Sequence, residues 1–126
     1  MPCVMELEIQ IITRTGVAVV RCRGRLIYGE EASEFGRVLR QLLNTTKQIV
    51  LQMERVSQID SGGVGALGGA YMAAHNREAE IKLAALSPRV GEVLRITALE
   101  RLFDVHSSES DAINAFSTPE KTAAIA

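Results

Sequence analysis

The run Gln48-Ile49-Val50-Leu51-Gln52-Met53 constrains the fold more than any other part of the chain. It is short, β-branched and nearly continuous in apolar residues, the pattern of a strand buried on both faces. Such a strand belongs at the centre of a sheet, and the flanking segments supply the rest. Met5-Glu6-Leu7-Glu8-Ile9-Gln10-Ile11 alternates apolar and polar, Thr13-Arg14-Thr15-Gly16 reads as a turn, and Val17-Ala18-Val19-Val20-Arg21-Cys22-Arg23-Gly24 reads as a second strand, which together predict an antiparallel hairpin. After Gly29, residues Ala32, Phe35, Val38, Leu39, Leu42 and Leu43 recur at helical spacing. Glu30, Glu31 and Glu34 come early and Arg37 and Arg40 late, which suits the helix dipole. Val64, Leu67, Tyr71 and Ala74 form a second helical stripe, and the first three are read as core. Ile81-Lys82-Leu83-Ala84-Ala85-Leu86 returns to strand, and Ser87-Pro88 reads as an N-cap with Pro at the first position of a helix carrying Val90, Val93, Leu94 and Leu99. Leu102-Phe103-Asp104-Val105-His106 is a last short strand, and Ser108 caps a helix through Ala112, Ile113 and Phe116. The expected fold is α/β, a mixed central sheet with about four helices packed on it.

At 126 residues the chain accommodates one domain, and with 47% hydrophobic and 23% charged residues it is too apolar to remain disordered. Residues 1–117 are assigned to that domain, and 118–126, with Pro119 and small residues, to a frayed tail. The charges, 14 basic against 15 acidic, are interspersed, so no footprint for nucleic acid is expected. No apolar run approaches the roughly 20 residues of a membrane span, and the N-terminus lacks signal-peptide character. The expected location is the cytoplasm. Cys3 and Cys22 share no metal or redox spacing and are read as small core or surface residues. His75 and His106 have no second ligand at useful spacing and are read as solvated or singly hydrogen-bonded. Neither a metal nor a cofactor is expected.

One stretch places an acid, a hydroxyl and glycines in a strand-to-helix turn: Ile59-Asp60-Ser61-Gly62-Gly63-Val64-Gly65. Either Asp60 or Ser61 can cap the helix, whose N-terminus favours negative charge. A hydrolase nucleophile elbow needs Gly two residues before the serine, and Ile59 stands there. A P-loop needs Lys after its second glycine, but Gly68 is followed by Gly69. Gly63-Val64-Gly65-Ala66-Leu67-Gly68 matches GxGxxG, yet about half the chain precedes it and the next strand ends in Ala85-Leu86 rather than an acid. Gly65 and Gly68 are read as packing glycines.

This turn resembles the Asp-Ser-Ser/Thr/Gly-Gly-Leu/Val-Gly signature of STAS domains, the group that contains bacterial anti-sigma factor antagonists. Gly24-Arg25-Leu26-Ile27 upstream, and Ser87-Pro88-Arg89-Val90 and Leu94-Arg95-Ile96-Thr97-Ala98-Leu99 downstream, extend the resemblance over roughly residues 5 to 116. It implies a STAS-like fold and a non-enzymatic partner-switching regulator. Unphosphorylated, the protein binds an anti-sigma factor that is also a serine kinase; phosphorylation of Ser61 ends the binding, and a phosphatase restores it. The switch region so implied comprises Asp60, Ser61, Gly62, Gly63, Val64 and Tyr28. The sequence departs from the family at Ile27, where an aspartate often stands, at Gly62 in place of a second serine, and at Ala98 in place of the glycine of a Thr-Gly-Leu turn. A second reading is a STAS module that senses a small anionic ligand, nucleotide or lipid, at the helix start beside Ser61. The first strand or the strand after Gly16 is expected at a sheet edge, where a weak homodimer can form.

Overall fold

The computed structural model describes residues 5–116. Five strands, β1 (Leu7–Arg14), β2 (Val17–Leu26), β3 (Gln48–Ile59), β4 (Glu80–Ala84) and β5 (Asp104–His106), lie side by side in chain order. β1 is antiparallel to β2, and every later pair is parallel. Four helices complete the fold: α1 (Glu30–Leu42), α2 (Ser61–Asn76), α3 (Pro88–Ile96) and α4 (Glu109–Phe116). The hairpin between β1 and β2 turns on Thr15 and Gly16, both at positive φ (49° and 81°), the two-residue turn whose twist matches that of the strands.

The alternation of side chains along β2 and β3 divides the core. Val20, Cys22, Leu51 and Met53 point to one face, where they form a single cluster with Phe35 and Leu39 of α1, Leu67 and Ala70 of α2, and Val90 and Leu94 of α3. Val17, Val19 and Val50 point to the other, where Ala84 and the buried Ala112 and Ile113 of α4 join them, with Ile12 and Phe116 packed at the margin. The part of this second face that α4 leaves open is polar, a solvated hollow of about 610 Å3 lined by Glu8, Gln10, Arg21, Arg23, Gln52 and Arg55. α4 is held over its half by a bidentate Arg21–Glu109 pair at 2.9 and 3.0 Å and by Lys82, whose Nζ lies 4.8 Å from the Phe116 ring centroid. Lys82 is buried. Burial opposes its charge, but hydrogen bonds to Asp104 at 2.7 Å and Glu80 at 2.9 Å outweigh this and raise its pKa.

Elements depart from expectation where solvent or backbone geometry intervenes. β3 is twice the length of its apolar run: it pairs with β4 only from Gln48 to Gln52, then continues beside β2 through two register shifts to Ile59. Having lost β4 it meets solvent, which is why Glu54, Arg55, Ser57 and Gln58 are exposed there and mask the strand signal. β4 stops at Ala84 because Ala85 takes positive φ (52°). α3 ends at Ile96, and Leu99 reaches the core from a short 3₁₀ turn, Leu99–Arg101, instead of from that helix. The last strand begins at Asp104, not Leu102. Of the two candidate edge strands, β1 is at the edge and β2 is interior. Cys22 is in the core, where burial pushes its thiol up to about 12. Cys3 and the tail 118–126 lie outside the described residues.

Candidate functional site

The site forms where β2 and β3 end together and α2 begins. Leu26 pairs with Ile59, so the loop after β2 and the turn after β3 emerge side by side. Asp60 occupies the N-cap of α2 with extended backbone (φ −122°, ψ −170°), and its Oδ1 accepts the Gly63 N–H at 3.1 Å. The same carboxylate accepts the Tyr28 N–H at 2.9 and 3.1 Å, one contact to each oxygen. Asp60 therefore fastens the β2 loop to the helix start. The Tyr28 bond above all, with further N–H donation from Gly63 and Gly62, holds its carboxyl below the usual aspartate range.

Capping thus falls to Asp60, which leaves Ser61 in the first turn of α2, exposed, with a hydroxyl that makes no hydrogen bond among the described residues. Tyr28 stands beside it at 81% exposure, the most solvent-open large hydrophobic residue of those described. Gly62 and Gly63 are the glycines that close contact demands. A Cβ at Gly62 would lie 2.5 Å from the Tyr28 Cα, and one at Gly63 would lie 2.2 Å from the Leu26 carbonyl oxygen. Gly62 in place of the family's second serine accordingly goes with a β2 loop packed directly on the helix. Gly65 and Gly68, by contrast, are not packing glycines: a Cβ at either would meet nothing within 4 Å. Val64 is half-buried against the core, Leu67 is fully buried, and Tyr71 is half-buried with its ring edge-on to Phe103 at 5.6 Å.

Ile27 carries no acid to this site, and Glu31 does not replace it. The Glu31 carboxylate is buried and accepts the Glu6 N–H at 2.8 Å, which ties α1 to the start of β1. That bond depresses its pKa. Ala98 keeps the turn that a glycine would make, in the left-handed region at φ 64° and ψ 11°, so the turn persists without the glycine. His75 is exposed and stacks on Tyr71, and His106 Nε2 lies 2.8 Å from Asp104. Neither approaches Ser61 through any bond shown. No group of three or more acidic, His or Cys side chains is placed to hold a metal among the described residues, and no described helix is long and apolar enough to cross a membrane.

The sequence reading missed one part of this surface. Beside Tyr28 a hollow of about 380 Å3 is lined by Gly29, Ala32, Ser33, Gly62 and Ala66. A second, of about 300 Å3, shares Ala32, Ser33 and Ala66 with it and adds Gly36, Gly65 and Gly69. Together they make a groove between α1 and α2 that begins at the Ser61 end, floored by small residues and bounded at Gly36 by the Arg40 side chain. The signal was the small residue at each of these positions, visible only once both helix faces are oriented.

Residues 8–112 match the model of the STAS domain family. The chain belongs to the STAS family. An anti-sigma-B factor antagonist of Staphylococcus aureus (strain NCTC 8325 / PS 47) is 31% identical over 104 residues, which cover 81% of this chain and 94% of that protein. An anti-sigma F factor antagonist of Paenibacillus polymyxa is 25% identical over 112 residues, 86% of this chain and 94% of that one. In fold, this STAS domain is similar to the anti-sigma factor antagonist SpoIIAA in its unphosphorylated form, with a TM-score of 0.76 at 22% identity, covering 88% of this chain and 97% of that one. The STAS fold thus accounts for the five-stranded sheet, and the matched residues include the Asp60–Tyr28 clasp.

Proposed function

We propose that this STAS domain is an anti-sigma factor antagonist, a non-enzymatic switch that binds an anti-sigma factor with serine kinase activity while Ser61 is unmodified and releases it once Ser61 is phosphorylated. The observation that carries the reading is similarity to named antagonists over nearly their whole length, together with an exposed Ser61 hydroxyl that makes no hydrogen bond among the described residues. A phosphoryl group there brings nearly two negative charges and three acceptor oxygens. The start of α2 attracts that charge, and the Asp60 carboxylate, already ionised and held by Tyr28 and Gly63, repels it. A partner closed over Tyr28 and Ser61 would have to bury the new charge without a counter-ion, which is costly enough to expel it. ATP and magnesium belong to the kinase in this scheme. The turn favours the switch over an anion sensor, because Asp60 already takes the Gly63 N–H and sets a negative charge where an anionic ligand would sit.

The test is binding of purified Ser61 variants to the cognate anti-sigma factor by titration calorimetry. Ser61→Ala should bind as the unmodified protein does, and Ser61→Asp should bind at least about tenfold more weakly, the scale of one buried uncompensated charge. Equal affinity for both variants would exclude Ser61 as the switch.

A further inference from the structure

β1 presents an open backbone edge whose chemistry matches itself. The Glu6 carbonyl accepts the Arg25 N–H at 2.7 Å, and Arg14 and Val17 close a two-residue hairpin. Both observations set the same phase: even-numbered residues of β1 bond to β2, and the N–H and C=O groups of Leu7, Ile9, Ile11 and Thr13 point away from the sheet. Among the described residues no backbone partner meets them. Of the devices that blunt such an edge, a proline, a bulge and an inward-pointing charge are missing from Leu7 to Thr13, and Glu8 is the one charged residue along it. Ile11 is 45% exposed on this edge.

Antiparallel pairing about a two-fold axis keeps each face of a strand against the same face of its copy only if the axis passes through a residue. Placed at Gln10, the axis sets Ile9 against Ile11 and Leu7 against Thr13, all outward-bonding, and so adds about eight inter-strand hydrogen bonds. The same register places Glu6 opposite Arg14 and Glu8 diagonal to it, twice over by symmetry, and opposes no like charges. Moving the axis to Ile11 carries Leu7 past the end of the partner strand into the Thr15 turn and loses a quarter of those bonds.

We propose that a second copy of this chain pairs with the outer edge of β1, antiparallel about a two-fold axis at Gln10, and joins two five-stranded sheets into one of ten strands. The exposed Ile11 then packs beside Ile9 of the partner and extends the apolar face that carries α1. Because β2 lies between β1 and β3, the pairing leaves Tyr28 and Ser61 open, and it stands or falls separately from the switch at Ser61.

Sedimentation velocity of the full chain over a range of concentrations reads the dimer, and cysteine pairing reads the register. Wild type should show concentration-dependent dimerisation, and Ile11→Lys should weaken it by roughly tenfold, two cross-strand apolar contacts being lost, with an unchanged circular dichroism spectrum. In a Cys3→Ser background, Gln10→Cys faces its own copy in a non-hydrogen-bonded pair with Cα atoms about 4.5 Å apart, within disulfide range. It should form a disulfide dimer under mild oxidation, at least about tenfold faster than Glu8→Cys, which faces Ile12. A wild-type chain that sediments as a monomer up to ~1 mM, an Ile11→Lys dimer as tight as wild type, or equal cross-linking at positions 8 and 10 would each overturn the proposal.

Discussion

At Gly63 an added Cβ would stand 2.2 Å from a backbone oxygen, while at Gly65 it would meet nothing within 4 Å, although the two residues are only two positions apart in one helix. Gly63→Ala therefore has to lift the start of α2 off β2, and the expected cost is about 1–3 kcal/mol, the range for an overpacked core site. Gly65→Ala removes backbone freedom from the unfolded chain and should stabilise by about 0.5–1 kcal/mol. Urea denaturation of the two variants distinguishes them, and a shift in the same direction for both would contradict the packing described. The turn itself was legible in the sequence as a strand-to-helix junction capped by Asp60 or Ser61, but only the structure assigns the cap to Asp60 and leaves the Ser61 hydroxyl exposed. The packing glycines were not, because small and apolar residues surround α2 on every side, and spacing alone does not say which side meets the sheet. Asp60's second task was equally hidden: the hydrogen bond that the Tyr28 N–H donates to Asp60 joins positions 32 residues apart, and no local pattern encodes it.

Among the four helices, α4 is the shortest and has a face of the sheet to itself. Ala112 and Ile113 are its buried anchors on Val17, Val19, Val50 and Ala84, and Phe116 packs partly buried beside them. Ile113→Ala should cost about 2–3 kcal/mol, the lower part of the range for an aliphatic truncation because the site is near the surface and can partly close. Hydrogen exchange should show protection lost from α4 before α1, α2 or α3, and uniform loss across all four helices would sink this ranking. α4 was foreseen from Ser108 and its apolar spacing, as was the central position of Gln48 to Met53. What escaped was the second half of β3. An edge exposed by the end of β4 is populated by Glu54, Arg55, Ser57 and Gln58, and such residues read as loop unless the neighbouring strand is known.

For the molecule as a whole, several carboxylates are tied into the fold in their charged form, which sets its response to acid. Asp60 is held by the Tyr28 N–H, Glu31 by the Glu6 N–H, Asp104 by Lys82 and Glu109 by Arg21, and the pKa of each is depressed. A depressed folded-state pKa adds stability that is complete above the unfolded value and lost as pH falls through the lower folded value. Stability should therefore hold from neutrality down to about pH 5 and decline below about pH 4, where these groups begin to bind protons in the unfolded chain. Asp60→Asn keeps a capping side chain but removes one titrating group, so its loss between pH 5 and 3 should be shallower than that of wild type. Parallel stability profiles for the two proteins over that interval would show that the clasp does not depend on the charge of Asp60.

The order of strands across the sheet, identical to their order along the chain, also bears on how a ribosome delivers the molecule. Each strand that emerges finds its neighbour already made, so the sheet grows from one side as it is synthesised, and α1, α2 and α3 close over it in turn. α4 reaches far back across that history, when Glu109 meets Arg21, a residue made 88 positions earlier. Until that contact forms, Val17, Val19 and Val50 face water, and the nascent protein carries an apolar stripe that is open to chaperones and is hidden when the last helix settles.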